Sequence, residues 1–291
     1  MLVALAVALA LALCAGCGAP AERASAPAAT LATVASARTG ASVALPAPAA
    51  EVMELSDPLT LAPVPASVSS RPAAAALTAD GEAARVIERV PRAGMRVALT
   101  FDAGADVGAS ATILDLLDRE QARASFGLTG RWAEQHPELV RRIAASGHDV
   151  INHSYDHASF TGHSTASAPL TRAERWQQLD RADSMLSQLT GGSSRPYFRP
   201  PYGDLDEALR TDAGARGYRY IVMWSVDSLG WKGLAAPAIT ERCLANAQPG
   251  AIYVFHVGAA SQDAAALPAI IRGLRALGYA VGSVSELLAG S

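Results

Sequence analysis

From Arg96 onward the chain alternates short runs of apolar and β-branched residues with longer stretches whose apolar positions recur every three or four residues. The first pattern belongs to buried strands, the second to helices that bury one face. Strands are predicted at Arg96–Phe101, Ala124–Leu128, Asp149–Ile151, Tyr197–Arg199, Tyr220–Trp224, Ala251–Phe255 and Tyr279–Val281. Helices are predicted between them at Ala111–Glu120, Pro137–Ala145, Thr171–Leu189, Asp206–Ala215, Pro237–Ala247 and Pro268–Leu277. About seven strands alternating with helices predict an α/β fold with a parallel sheet, most economically a distorted (β/α) barrel. In such barrels the chemistry collects at the C-terminal ends of the strands.

The polar residues obey that rule. Asp102 follows the first predicted strand, His153 and His157 the third, Arg199 ends the fourth, Asp227 follows the fifth and His256 the sixth. Each alone has an ordinary explanation: Asp102 as a turn cap, Arg199 as a surface ion pair, His256 as a packed histidine. Convergence of all six on one rim is not expected by chance. Within Asn152-His153-Ser154-Tyr155-Asp156-His157 the two imidazoles lie four residues apart. Neutral imidazoles able to meet at one point suit a divalent metal, usually with a carboxylate or water completing the set.

The front of the chain is different in kind. Met1 to Ala15 is almost wholly apolar and leads into Cys14-Ala15-Gly16-Cys17, so residues 1–17 are predicted to be a signal peptide. The run is short for a membrane span. Small residues before Cys17 resemble a bacterial lipoprotein box, although Cys14 stands where such boxes usually carry Leu. Lipidation at Cys17, plain secretion and an uncleaved anchor all stay open, and each exports the protein. Residues 18–81 are rich in Ala, Pro, Ser and Thr, which predicts a disordered linker. The folded domain is then 82–291. A net charge of −3 without basic blocks gives no support for a nucleic-acid partner. Of the three cysteines, Cys243 falls in an apolar helical pattern and reads as core filler. His136 and His148 read as structural and His163 as a solvated loop residue, while Trp132 and Trp176 read as helix packing.

Five segments carry a resemblance. They are Thr100-Phe101-Asp102-Ala103-Gly104, His153-Ser154-Tyr155-Asp156-His157, Arg199-Pro200-Pro201-Tyr202-Gly203, Trp224-Ser225-Val226-Asp227-Ser228-Leu229-Gly230-Trp231 and Val254-Phe255-His256. In order, they resemble the motifs of the polysaccharide deacetylase family, also called the NodB-homology domain or carbohydrate esterase family 4, across roughly residues 94 to 287. The resemblance implies a distorted barrel that binds a divalent metal, usually zinc, and hydrolyses acetyl groups on a glycan such as peptidoglycan or a chitin-like polymer. It implies that His153 and His157 ligate the metal, that Asp102 is the general base and that Arg199 holds Asp102 ionised. It further implies that His256 protonates the leaving amine and that the Tyr202 backbone N–H stabilises the oxyanion. Trp231 and Val254 would wall the acetyl pocket, and Tyr155, on the rim, would contact sugar.

Two positions depart from the pattern. The family usually has a second aspartate, a metal ligand, where this chain has Ala103, so water, Asp102 or Asp106 is left to complete the ligand set. Where the family often orients its catalytic histidine with an aspartate stands Gly230, and Asp227 is the expected substitute. These departures keep a rival open, a weakly active or inactive barrel that still binds glycan. A serine esterase using Ser154 or Ser225 has no Gly-x-Ser-x-Gly elbow to support it.

Overall fold

The structure, a computed structural model, describes residues 82–291; the predicted signal peptide and linker lie outside the described residues. Among the described residues nine strands form one sheet: β1 (Arg85–Ile87), β2 (Arg96–Ala103), β3 (Ser125–Leu128), β4 (Asp149–Asn152), β5 (Tyr197–Phe198), β6 (Tyr220–Val222), β7 (Val226–Asp227), β8 (Ile252–His256) and β9 (Ala280–Gly282). All ladders between them are parallel, in the order β1-β6-β5-β4-β3-β2-β8-β7 with β9 also on β2. The two ends of that path do not pair with each other, so the sheet curls into a half-closed barrel. The seven strands read from the sequence are all present, with ends moved by one or two residues. β1 and β7, of three and two residues, are too short to register a period.

Helices α1 (Ser110–Arg119), α2 (Gly130–Gln135), α3 (Pro137–Ala145), α4 (Arg172–Thr190), α5 (Glu207–Ala215), α6 (Ala236–Ala245), α7 (Asp263–Ala276) and α8 (Val284–Ala289) complete the described elements. Their starts follow from local chemistry. Thr171 and Glu174 form a reciprocal capping box at α4, Ser283 and Glu286 another at α8, and Pro137 opens α3 where no amide donor is needed. α7 begins at Asp263 and not at Pro268, which sits inside the helix. That difference bears on the site.

Alternation along β2 and β8 separates two layers. Val97, Leu99, Phe101 and Ala103 of β2, with Tyr253 and Phe255 of β8, face the helices in one apolar cluster that includes Trp132, Ile270 and Cys243. Their neighbours Ala98 and Ile252 belong to a second cluster with Ile151, Val222, Val284 and Leu287. The start of α8 meets the beginnings of β3 and β4: the Val284 N–H donates to Ser125 Oγ and the Ser285 N–H to Asp149 Oδ2. That end of the barrel is thus plugged, and the opposite, C-terminal rim is left for polar side chains. Cys243 is fully buried, and burial pushes its thiol up to about 12, as core filler requires. Trp132 and Trp176 pack between elements, with indole N–H groups on the carbonyls of Asp106 and Asp212.

Candidate active site

β2 and β8 are in register so that Asp102 lies beside His256, and β3 sets Gly127 on the other side of Asp102. Asp102 is 8% exposed and Arg199 not at all. Arg199 Nη1 donates to Asp102 Oδ1 at 2.8 Å, while its Nε and Nη2 donate to the carbonyls of Val222 and Met223 at 2.8 and 3.3 Å. Burial is the largest single influence on the Asp102 carboxyl and raises it. Arg199, through its charge and its hydrogen bond, leads the influences that outweigh burial and hold Asp102 below the usual carboxylate range.

Gly127 exists to make room for this pair. A Cβ there would lie 2.3 Å from Asp102 Oδ1, an oxygen that Arg199 keeps in place. Gly127→Ala is therefore expected to destabilise the fold by about 1–3 kcal/mol, the usual cost of overpacking, measurable by urea unfolding. An unchanged midpoint would show that the carboxylate moves freely.

His153 Nδ1 lies 2.9 Å from the Arg199 carbonyl oxygen. A carbonyl only accepts, so Nδ1 carries the proton and the neutral ring keeps its lone pair on Nε2, 3.9 Å from Asp102 Oδ2. His157 meets His153 edge to face at 4.9 Å between ring centres, with the Tyr202 ring 4.7 Å beyond. Burial, then the neighbouring His153, lowers His157 to about 4, and burial also lowers His153, so both are uncharged at neutral pH. The loop that delivers them is fixed by Asn152, whose Nδ2 donates to the Leu179 carbonyl and the Tyr218 hydroxyl while its Oδ1 accepts from the Ser154 N–H. Ser154 and His157 both take positive φ, at 67°.

Among the described residues no three His, Cys, Asp or Glu side chains form a cluster tight enough to enclose a metal ion. The donor chemistry nevertheless fits a hydrated divalent cation on one side: the lone pair of His153, the neutral His157 ring and the Asp102 oxygen that Arg199 leaves unused. Ala103 adds nothing to that set. It ends β2 buried in the apolar cluster that also holds Phe101 and Leu128, and its methyl group offers no ligand atom. Asp106 does not fold back either. Its Oδ1 accepts from the Ala259 N–H across the cavity mouth.

The cavity above these groups holds about 800 Å³ and is lined by Asp102, His153, His157, Tyr202, Trp231 and His256, with glycines and small residues between. Tyr202 at φ 62° and Trp231 are each about half exposed on its rim. Two expected site residues are placed elsewhere, and a third lines the cavity in a different role. Val254 faces the barrel interior below the cavity floor, one strand step beneath His256, and does not line it. Tyr155 turns outward, donating its hydroxyl to Glu134 and lying under the Arg181 guanidinium. Asp227 lines the cavity but accepts from the Leu229 N–H and the Trp231 indole, so it holds the rim and does not orient His256.

Sequence reading missed Asp263. It is fully buried at the start of α7, with Oδ2 accepting from the His256 backbone N–H at 2.8 Å and from Ser228 Oγ at 3.1 Å. Burial pushes its carboxyl up, against hydrogen bonds from His256, Ser228 and Ser261.

The fold and rim together define a curled, parallel α/β barrel protein with a buried Asp–Arg pair and two neutral imidazoles in one mouth. The polysaccharide deacetylase family matches residues 89–221. Over 160 residues the chain is 37% identical to the peptidoglycan-N-acetylglucosamine deacetylase of Bacillus cereus, covering 55% of each chain. Over 193 residues it is 30% identical to the peptidoglycan-N-acetylmuramic acid deacetylase PdaA of Bacillus subtilis, covering 65% of this chain and 70% of that one. A carbohydrate esterase family 4 pseudoenzyme from Bacillus anthracis superposes with a TM-score of 0.63 at 28% identity, over 70% of this chain and 69% of that one. A mutant form of that pseudoenzyme has restored enzymatic activity. The chain belongs to the polysaccharide deacetylase family. It spans about half the length of the Bacillus cereus relative.

Proposed function

We propose that this chain is an exported, divalent-metal-dependent deacetylase that hydrolyses N-acetyl, or O-acetyl, groups on an extracellular glycan, with cell-wall peptidoglycan the first candidate. The observation that carries the proposal is the division of Asp102: one oxygen is tied to buried Arg199 and the other is free beside the His153 lone pair, with His256 on the adjacent strand. Hydrolysis of an acetamide adds water across the C–N bond and yields acetate and an amine. A carboxylate kept ionised can take the proton from that water, and a second group must protonate the nitrogen before it leaves. Asp102 serves as the base and His256 as the acid. The Tyr202 N–H, on a backbone forced to positive φ at the rim, serves as the oxyanion donor. Held by His153 and His157, a zinc ion would supply polarisation of the acetyl carbonyl and a lower pKa for water. Trp231 and Tyr202 offer exposed aromatic faces for a sugar ring.

Export rests on the apolar run from Met1 to Ala15, with lipidation at Cys17, release or an uncleaved anchor as its outcomes. Among the described residues no helix is long and apolar enough to cross a membrane.

The test is acetate release from N-acetylated glycan fragments by protein first chelated and then titrated with zinc. Release that returns with zinc supports the enzyme. Silence from folded protein at every zinc level supports the second reading, a glycan-binding barrel, which the absence of a carboxylate at Ala103 favours. His153→Ala is expected to lose zinc binding in calorimetry together with turnover. Unchanged zinc affinity would remove His153 from the ligand set.

A further inference from the structure

The buried polar atoms among the described residues that find no hydrogen-bond partner include His256 Nδ1 and Asp263 Oδ1. A buried group of this kind costs about 1–3 kcal/mol and calls for an explanation. Here the two atoms explain each other. The other oxygen of the same Asp263 carboxylate already accepts from the backbone N–H of His256 itself at 2.8 Å, so its free oxygen cannot be far from the ring of that residue. The carboxylate is also anchored by Ser228 Oγ, and Ser261 Oγ accepts from the Asp263 N–H, which leaves rotation about its own side-chain bond as the available adjustment.

Gly230 fits this arrangement. A Cβ at that position would lie 2.3 Å from Asp263 Oδ1 and 2.5 Å from Ser261 Oγ, so any side chain on residue 230 would displace the carboxylate. The backbone does not demand glycine there, since Gly230 is not among the residues with positive φ. Its missing side chain is space that Asp263 fills. Asp227, the alternative carboxylate in this loop, is spent on the Leu229 N–H and the Trp231 indole.

We infer that Asp263 is the positioning residue of His256: its free oxygen accepts the Nδ1–H of the imidazole, so that Nε2 faces the cavity as the atom that passes a proton to the leaving nitrogen. This rests on the deacetylase reading and adds to it the group that fixes the acid's tautomer. Hydrogen bonds of this type are commonly long before substrate arrives and shorten when the imidazolium forms. The proton balance is simple. Imidazolium Nε2–H is transferred to the departing amine, the ring is left neutral with its proton on Nδ1, and Asp263 holds that proton without taking it.

The test uses the full chain and Asp263→Asn, which keeps the size and the bond to the His256 N–H but replaces the second acceptor by an amide donor. Zinc-loaded proteins are given N-acetylglucosamine tetramers and 4-nitrophenyl acetate, whose phenolate leaves without a proton. The expected result is a kcat about 10²-fold lower on the tetramer at unchanged KM, with little loss on the aryl ester. Equal losses on both substrates, or none, would overturn the proposal, because a mere anchor for the β7, β8 and α7 junction does not tell leaving groups apart. The second measurement does not depend on turnover. Nitrogen NMR of the ring, among only six histidines and assigned by its loss in His256→Gln, is expected to show the Nδ1–H tautomer in the parent and Nε2–H in Asp263→Asn. The same tautomer in both would refute the role. A parent protein that releases acetate from neither substrate would sink the deacetylase reading, and the tautomer shift would still decide whether Asp263 sets the ring.

Discussion

Asp102→Asn is expected to lower acetate release by about 10³-fold while leaving a folded barrel, because the change removes the carboxylate proposed as the base and keeps its shape. Asparagine at 102 still accepts a hydrogen bond from Arg199, yet it cannot take a proton from water. It also leaves a fully buried guanidinium without its counter-charge. Breaking a buried ion pair costs about 3–5 kcal/mol, and the retained hydrogen bond places this variant at the lower end of that range. Both effects are read on one preparation, turnover from acetate release and stability from urea unfolding. A variant that keeps most of the parent rate would take Asp102 out of the mechanism. A rate loss with zinc affinity unchanged would show that the carboxylate works as base and not as a main ligand.

Much of this was readable in the chain because the site lies where strands end. Asp102, His153, Arg199 and His256 each sit within two residues of a predicted strand terminus, and the pleat fixes which way a side chain at such a place points. Residues one or more steps into the loops were harder. Ser154, His157, Tyr202 and Leu229 all carry positive φ, and each such residue redirects the chain in a way that no hydrophobic period encodes. That is why Tyr155 turns outward and why Asp227 closes on Leu229 and Trp231. Val254 failed for the opposite reason. It sits correctly on the inward face, but depth along a strand is set by where the rim lies, and alternation gives only the face.

Asp263 was hidden by proline. A proline at a helix start is a sound signal, and Pro268 drew the predicted beginning of α7 five residues too far along. The true first turn, Asp263 to Leu267, is then read as loop, and its buried acid loses its structural context. Ala103 carries a different lesson. Its missing carboxylate left the ligand set open in sequence, and in the structure the position is buried in the outer apolar layer. The Bacillus anthracis pseudoenzyme, with its restored mutant, shows that loss and recovery of activity occur within this family on a similar fold.

Arg199→Met is expected to be the most destabilising single change at the site, costing about 3–5 kcal/mol, because it removes the charge while filling most of the volume. The pH dependence separates this from a packing defect. In the parent, Asp102 is held below its ordinary pKa, so its contribution to stability is present above that ordinary value and is lost as pH falls through the folded one. Without Arg199, burial, already the largest influence on Asp102, is opposed far less, and the carboxyl is expected to rise above its ordinary value. Such a group favours the folded state when protonated and loses that contribution as pH rises through its folded pKa. The stability gap between parent and variant is therefore expected to narrow as pH falls from 7 toward 4, whereas a packing defect would keep it constant. Pairing the two substitutions completes the cycle. Asp102→Asn with Arg199→Met leaves no buried charge unmatched, so the double variant is expected to be more stable than the sum of the single losses allows. Simple additivity would show that the pair is not coupled and that its burial, and with it the ionised base, needs another cause.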